Sequence, residues 1–227
     1  MNKILQMLEL QQELNDATNG LNWENGITKN GKIIDWRRCI YLEAAELVES
    51  YPWKHWKNID ASPDYANIKI EIVDIWHFIM SEALRIYKVE NRGSIENIST
   101  AISAMEGFEE FTQSQKSKKL DNYEEIALVE DMIRILFCDK ENIDALLISF
   151  LTMSSKLNLK LPELYELYIG KNILNKFRQE HGYKEGSYIK VWNAEEDNVV
   201  MQRILNEKNE ITPDALYGAL EEAYPKG

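Results

Sequence analysis

One apolar segment with two acids inside it constrains the fold more than any other part of the chain. Residues 69–80 read Lys-Ile-Glu-Ile-Val-Asp-Ile-Trp-His-Phe-Ile-Met, so Glu71 and Asp74 stand among apolar neighbours. Apolar residues would cover nearly the whole circumference of a helix here, which predicts an interior helix rather than a half-exposed one. An unpaired buried carboxylate is costly, by on the order of several kcal/mol, so such groups are paired, protonated or bound to metal. We therefore expect a cation to meet these two acids.

A second acidic pair, Glu43 and Glu46, lies upstream in another segment of helical character. Residues three apart share one face of a helix, so Glu43 with Glu46, and Glu71 with Asp74, each form a two-carboxylate ridge. If the two helices pack antiparallel, four carboxylates converge. Helix bundles build metal sites from acids on facing helices, and an all-oxygen set suits a hard ion such as Mg²⁺. The sequence thus predicts a magnesium site at Glu43, Glu46, Glu71 and Asp74.

Two other interpretations of these acids remain open. Acids three apart on a helix are commonly exposed surface residues, and Glu46 with Glu49 is a rival pairing for the first ridge. The buried acids could also form salt bridges with Arg37 or Arg38 in place of a metal site. In that case the chain would be a non-catalytic helical interaction module.

Charge and composition exclude several classes of partner. The chain has 227 residues, a formal net charge of −12 and a sequence pI near 4.9. Polymeric nucleic acid and anionic membrane surfaces require a basic face, so neither is expected as a partner. No apolar run approaches the roughly 20 residues that span a bilayer. The amino-terminal segment breaks its apolar pattern too early for a secretory signal, so we expect a cytoplasmic protein.

Cysteine content and nucleotide-binding motifs narrow the class further. Cys39 and Cys138 are too few for a disulfide framework, and their apolar neighbours predict buried core thiols. The chain has neither a Walker-type phosphate loop nor a dinucleotide fingerprint, which disfavours P-loop and Rossmann nucleotide chemistry.

Helical periodicity runs through most of the chain, and alternation typical of strands is not sustained anywhere. The pattern weakens between about residues 92 and 120, a possible insertion, and the best candidate for an extended piece is 188–192. We predict an all-α helical bundle with a smaller mobile helical lobe, forming one domain over 1–227. The predicted helices cover residues 4–17, from Asp35 to before Pro52, from near Pro63 to Tyr87, 123–137, 143–157, and from Pro162 to His181.

A basic strip lies near the carboxyl-terminal side of this pattern. Lys171, Asn175 and Arg178 recur at spacings of four and three, so they share one helix face. The following loop carries Lys184 between Gly182 and Gly186 and could close over a charged ligand. An exposed helix face with a capping loop is the alternative.

Amides and aromatic residues complete the candidate site. An amide both donates and accepts hydrogen bonds, which suits the edge of a nucleobase, and aromatic rings can stack on its face. His77 could be a metal ligand, a base contact or a core histidine. Magnesium on acids, phosphates on basic residues and a flat polar ring together describe a nucleoside polyphosphate. The amides are Gln11, Gln12 and Asn15, and the aromatic segment contains Trp53, His55 and Trp56.

Five motifs in this order give the sequence a close resemblance to the dimeric all-α dUTP diphosphatases, within the wider all-α NTP pyrophosphohydrolase group. The resemblance runs from about Leu8 to Trp192. The motifs are Leu-Gln-Gln-Glu-Leu-Asn15, Glu43-x-x-Glu46, Tyr-Pro-Trp-Lys-His-Trp-Lys57, Glu71-x-x-Asp74-x-x-His77, and Lys171-Asn-Ile-Leu-Asn-Lys-Phe-Arg178-Gln-Glu-His-Gly-Tyr-Lys184.

The resemblance implies a homodimer that hydrolyses dUTP, and also dUDP, to dUMP, with a metal-activated water attacking a phosphorus. It implies two or more Mg²⁺ on the four acids named above. A related enzyme acting on another deoxynucleotide, such as dCTP, is the nearest alternative. The residue roles that it implies are uracil recognition by Gln11 or Gln12, Asn15 and His77, a stacking wall from Trp53 to Trp56, deoxyribose contact by Asn175, and phosphate contacts by Lys171, Arg178 and Lys184. His55 falls where the family has a tryptophan of that wall.

Overall fold

Helices make up nearly all the regular structure of the chain. The computed structural model describes residues 2–57, 61–113, 115, 117–139, 142–207 and 212–225. Within these residues the fold is all-α, as predicted. The elements in chain order are α1 (Lys3–Asn19), a 3₁₀ helix η1 (Trp23–Asn25), α2 (Trp36–Glu49), α3 (Tyr65–Val89), α4 (Ile95–Ser103), α5 (Phe108–Thr112), α6 (Asn122–Cys138), α7 (Ile143–Lys156), α8 (Leu161–Glu180), β1 (Val191–Trp192), β2 (Glu195–Glu196), α9 (Asp197–Glu207) and α10 (Pro213–Ala223).

Local sequence sets the ends of the helices that carry the acids. Asp35 caps α2, where its side chain accepts a hydrogen bond from the backbone N–H of Arg38 at 3.0 Å. Asp64 caps α3 in the same way through Asn67. Such caps satisfy backbone donors that the first turn of a helix leaves without an intrahelical partner. The predicted start of α2 at Asp35 is thereby confirmed, and α3 begins within two residues of Pro63.

The first of two compact units spans Met1–Leu164, and α3 is its central helix. Helices α2, α1 and α7 all pack against α3, which explains why it is apolar on almost every side. Trp76 is fully buried and stacks on Phe150 of α7, with ring centroids 4.9 Å apart. The prediction of an interior helix is confirmed, so Glu71 stands in a largely water-free setting.

The described residues of the weakly patterned segment 92–120 include helices α4 and α5 of this unit. Helix α4 packs on α1, where the side chain of Asn2 donates a hydrogen bond to the Ser99 hydroxyl at 2.9 Å. Helix α5 packs on α7, and Ser117 beyond it donates to the Ser155 carbonyl at 2.8 Å. The segment is therefore an integral part of the packing. Its origin as an insertion stays a prediction.

The second unit, Tyr165–Gly227, contains the greater part of α8, a two-stranded antiparallel hairpin, α9 and α10. In the hairpin Val191 pairs with Glu196 and Trp192 with Glu195, which confirms an extended piece at the end of the predicted stretch. The core of the second unit is aromatic: the ring centroid of Phe177 lies within 6 Å of the ring centroids of Trp192, Tyr217 and Tyr224. The prediction of one domain over 1–227 and that of a mobile lobe stay predictions.

The cysteine prediction is wrong. Cys39 is half-buried, and Cys138 is exposed. Cys138 is the last residue of α6, and the preceding Phe137 is also exposed. In the described part of the chain, no helix combines the length and apolarity needed to cross a bilayer.

Candidate active site

Three of the four predicted acids come together between α2 and α3. Glu43 and Glu46 of α2 and Glu71 of α3 each offer one carboxylate oxygen, and these oxygens lie within 4.8 Å of one another. Glu71 is buried, Glu43 is half-buried and Glu46 is exposed, so the cluster reaches from the helix interface to solvent. We call Glu43, Glu46 and Glu71 the acid cluster.

Asp74 lies one helical turn after Glu71 and is half-buried. Among the described residues, the acids that converge are Glu43, Glu46 and Glu71, and Asp74 is not one of them. Its role as a fourth ligand stays a prediction.

The donor set of the acid cluster fits a hard divalent cation. All three groups are carboxylates, which suit Mg²⁺ and offer little to a soft metal. Two unit charges 4.8 Å apart repel by about 3 kcal/mol at an effective dielectric constant near 20, and by less where water screens them, as at Glu46. A bound dication would convert this repulsion into attraction.

The arginines considered as alternative partners form ion pairs with other acids. Arg37 Nε lies 3.0 Å from Glu82 Oε1, and Arg38 Nη2 lies 3.4 Å from Asp35 Oδ2. Glu82 also accepts two hydrogen bonds from Arg85, at 2.7 and 2.9 Å. These pairs give both arginines an anionic partner outside the acid cluster.

Glu49 belongs to the surface, which supports Glu43 with Glu46 as the first ridge. Its side chain is exposed and forms an ion pair with Lys54. Glu49 is absent from the acid cluster that the described residues form.

A buried polar network joins α1 to α3, the helix that also carries Glu71. Gln11 Oε1 lies 2.7 Å from His77 Nδ1, and Gln11 Nε2 donates to Asn15 Oδ1 at 3.3 Å. The Ser81 hydroxyl receives hydrogen bonds from Gln11 Nε2 and from Asn15 Nδ2, both at 3.0 Å. All four residues are buried. We call Gln11, Asn15, His77 and Ser81 the amide network.

Ser81 was missing from the sequence analysis. The available signal was its spacing of four from His77, which places both on one face of α3. A serine is too common to be singled out on spacing alone, and its contacts with α1 join residues 66 and 70 positions apart.

Gln12 faces a different environment from Gln11. Its amide donates to Asp16 at 3.0 Å and to Glu24 at 3.3 Å, and the side chain is half-buried. Of the two glutamines, Gln11 is thus the one built into the amide network. A base contact by Gln12 stays a prediction.

The aromatic segment after α2 is exposed. Trp53 and Trp56 meet edge to face with centroids 5.8 Å apart, and the His55 ring lies 4.8 Å from Trp56. Trp56 is 63% exposed, an unusual state for so large an apolar ring. Stacking of this segment on a base stays a prediction.

In the second unit, Asp197 organises the residues of the predicted basic strip. Arg178 contacts both carboxylate oxygens of Asp197, Nε to Oδ2 and Nη2 to Oδ1, each at 2.8 Å. Arg178 also donates to Asn175 at 3.1 Å, and Tyr188 donates to Asp197 at 2.8 Å. Burial acts to raise the pKa of Asp197, but Arg178 and Tyr188 outweigh it and hold that pKa below its ordinary value.

Asp197 was not predicted as a site residue either. It follows Glu195 and Glu196, and such a run of three acids is typical of a solvated turn. Lys171 is buried and donates to Asn198 at 3.0 Å, whereas Lys184 is exposed. The roles of Lys171, Arg178 and Lys184 toward phosphates, and of Asn175 toward the sugar, stay predictions.

The all-α fold and a family comparison together define the class of this protein as a helical nucleotide hydrolase. The family model that matches is that of dUTPase, over residues 3–183. Because the match covers most of the sequence, the chain belongs to the dUTPase family, and its enzymatic activity is that of a dUTP diphosphatase. The matched residues include the acid cluster and the amide network. A comparison with curated proteins found no match.

Proposed function

We propose that the protein hydrolyses dUTP, and also dUDP, to dUMP in a Mg²⁺-dependent reaction. The observation that carries the proposal is the convergence of the acid cluster, with three carboxylate oxygens within 4.8 Å of one another on two packed helices. Family membership indicates that the substrate is dUTP. The acid cluster provides the carboxylates that would bind Mg²⁺.

Glu43, Glu46, Glu71 and Asp74 would hold the metal, as two or more ions. When bound, Mg²⁺ neutralises phosphate oxygens and lowers the pKa of a coordinated water. The protein contributes preorganisation: α2 and α3 bring the carboxylates together before substrate binds, so little rearrangement remains to be made during the reaction. A carboxylate of this set also accepts the proton of the attacking water.

The amide network supports recognition of uracil. It lies on α1 and α3 and contains buried amides and an imidazole, which are the groups that read the donors and acceptors of a base edge. A site built from paired buried polar groups rejects a ring with the wrong pattern strongly, because its own groups would then lose their partners. Trp53 or Trp56 provides the stacking face. A homodimeric state and a cytoplasmic location accompany the proposal as predictions.

The central test replaces Glu71 with glutamine, which keeps the shape of the side chain and removes its charge. We expect turnover of dUTP to fall by about 1,000-fold, equivalent to roughly 4 kcal/mol, with the helical circular dichroism signal retained. Glu49→Gln is the matched control, since Glu49 lies on α2 outside the acid cluster, and it should keep its activity. Loss of folding in Glu71→Gln, or unchanged turnover, would contradict the metal role.

A substrate panel tests the remaining parts of the proposal. We expect hydrolysis of dUTP and dUDP to dUMP, little hydrolysis of dCTP, and loss of activity on chelation that added Mg²⁺ restores. Preferential hydrolysis of dCTP would overturn the uracil assignment, and activity that survives chelation would overturn the dependence on Mg²⁺.

A further inference from the structure

Ser81 stands at the centre of the amide network and is fully buried. Its hydroxyl donates to the His77 carbonyl oxygen at 2.9 Å and receives the side-chain amides of Gln11 and Asn15, each at 3.0 Å. A serine hydroxyl has one hydrogen to donate and two lone pairs that accept. These three contacts use that capacity completely.

The hydroxyl therefore determines how both amides are oriented. A backbone carbonyl can only accept, so the single hydrogen of Ser81 is committed to His77. Both amide contacts must then come from NH₂ groups, because a carbonyl oxygen placed there would face an oxygen with no hydrogen left. The amide nitrogens of Gln11 and Asn15 are thus turned toward Ser81.

The orientation of Gln11 in turn sets the state of His77. With its nitrogen on Ser81, Gln11 presents Oε1 to His77 Nδ1 at 2.7 Å. That oxygen accepts only, so Nδ1 carries the hydrogen. In a neutral imidazole protonated at Nδ1, the other nitrogen, Nε2, is an acceptor. A single buried hydroxyl on α3 thereby determines the tautomer of a histidine one turn away.

We propose that Ser81 is a specificity-determining positioning residue, which fixes the donor and acceptor pattern that Gln11, Asn15 and His77 present to the nucleobase. The inference rests on the proposed function, in which the amide network reads the base. At ring position 3, uracil carries an N–H donor, whereas cytosine carries a lone pair. An acceptor at Nε2 of His77 matches uracil and opposes cytosine, which is the repulsive component that discrimination between similar ligands requires.

The test compares Ser81→Ala with Ser154→Ala. Ser154 is equally buried, and its hydroxyl likewise donates to a backbone carbonyl, that of Leu159, so the control removes a buried hydroxyl outside the amide network. We expect Ser81→Ala to lower the ratio of kcat/KM for dUTP to that for dCTP by at least about 10-fold, mainly through KM for dUTP, whereas Ser154→Ala leaves the ratio unchanged. Ser81→Cys, which fills the space with a weak donor and acceptor, should behave like Ser81→Ala and serves if that variant does not fold.

Nitrogen-15 spectra of the imidazole rings give a second readout that does not depend on turnover. The chain has three histidines, and a His77→Gln variant assigns the signals of His77. We expect the Nδ1–H tautomer in the wild type and a mixture of tautomers in Ser81→Ala. An unchanged substrate ratio together with an unchanged tautomer would overturn the inference. If the wild type hydrolysed neither nucleotide, the proposed function would fail, while the spectra would still decide whether Ser81 controls His77.

Discussion

Glu82 is expected to be the most sensitive buried charge of the first unit. Its carboxylate on α3 contacts Arg37 of α2 at 3.0 Å and Arg85 at 2.7 and 2.9 Å. The exposed fractions of these side chains are 3% for Glu82, 11% for Arg37 and 30% for Arg85. Arg37 also donates to the carbonyl of Leu136 in α6, so the cluster ties three helices together. Glu82→Gln keeps the volume and removes the charge.

The contacts of Glu82 determine how much stability its substitution should cost. A glutamine retains one acceptor oxygen but turns the other position into an NH₂ donor that faces an arginine, so at least one charged hydrogen bond is lost. Such bonds contribute about 1.5–3 kcal/mol each, and breaking a buried ion pair costs about 3–5 kcal/mol. The partial exposure of Arg85 places this case at the lower end. We expect Glu82→Gln to lower the free energy of unfolding by about 3 kcal/mol.

Urea denaturation followed by circular dichroism at 222 nm measures this loss. With an m-value of roughly 3 kcal/mol/M, the midpoint should fall by about 1 M. Arg38→Gln is the control, because its ion pair with Asp35 is exposed and should contribute less than about 1 kcal/mol. If the two variants lost the same small amount, the argument that burial makes the Glu82 cluster important would be refuted.

Two further predictions concern pH. The pKa of Asp197 is held low, so the stability difference between the wild type and Asp197→Asn should be complete above the ordinary aspartate pKa of about 3.9 and vanish as the pH falls through the lower folded value. Denaturation series at pH 6 and below pH 3 would measure it, and a difference that did not shrink in acid would contradict the ion-pair explanation. Burial raises the pKa of Glu125 more than the Tyr51 hydroxyl and Lys119 lower it, so the wild type loses stability as the pH rises through that raised value. Glu125→Gln should therefore be more stable than the wild type at pH 7 but not at pH 4, and equal stabilities at both values would exclude the desolvation effect.

Local sequence was sufficient to predict the elements that carry the acids. The caps at Asp35 and Asp64 and the all-round apolar character of α3 are encoded within a few residues of where they act. The spacing of Glu43 and Glu46 is likewise local. From these signals came the expectation that a cation meets Glu71, which stays a prediction; what the structure adds is the convergence of the three carboxylates of the acid cluster.

Contacts between residues far apart in the sequence could not be predicted from local patterns. Arg37 could be expected to pair with an acid, but its choice of Glu82 joins residues 45 positions apart and depends on the register of α2 along α3. Ser81 gains its importance only when α1 brings Gln11 and Asn15 against it. Asp197 looks like one of three acids in a turn until the hairpin and α9 orient it toward Arg178.

Helix α3 also fixes the distance between the acid residues and the amide network. Glu71, Asp74, His77 and Ser81 follow one another at intervals of three, three and four residues, so each lies about one turn beyond the last on a single continuous helix. At about 1.5 Å of rise per residue, the metal-binding end and the base-reading end of the proposed enzyme stand about 9 Å apart along the axis, from Glu71 to His77. Backbone hydrogen bonds, rather than loops, maintain that spacing. One extra residue between Asp74 and His77 would rotate the two ends by about 100° relative to each other and leave each intact but unable to hold the same nucleotide.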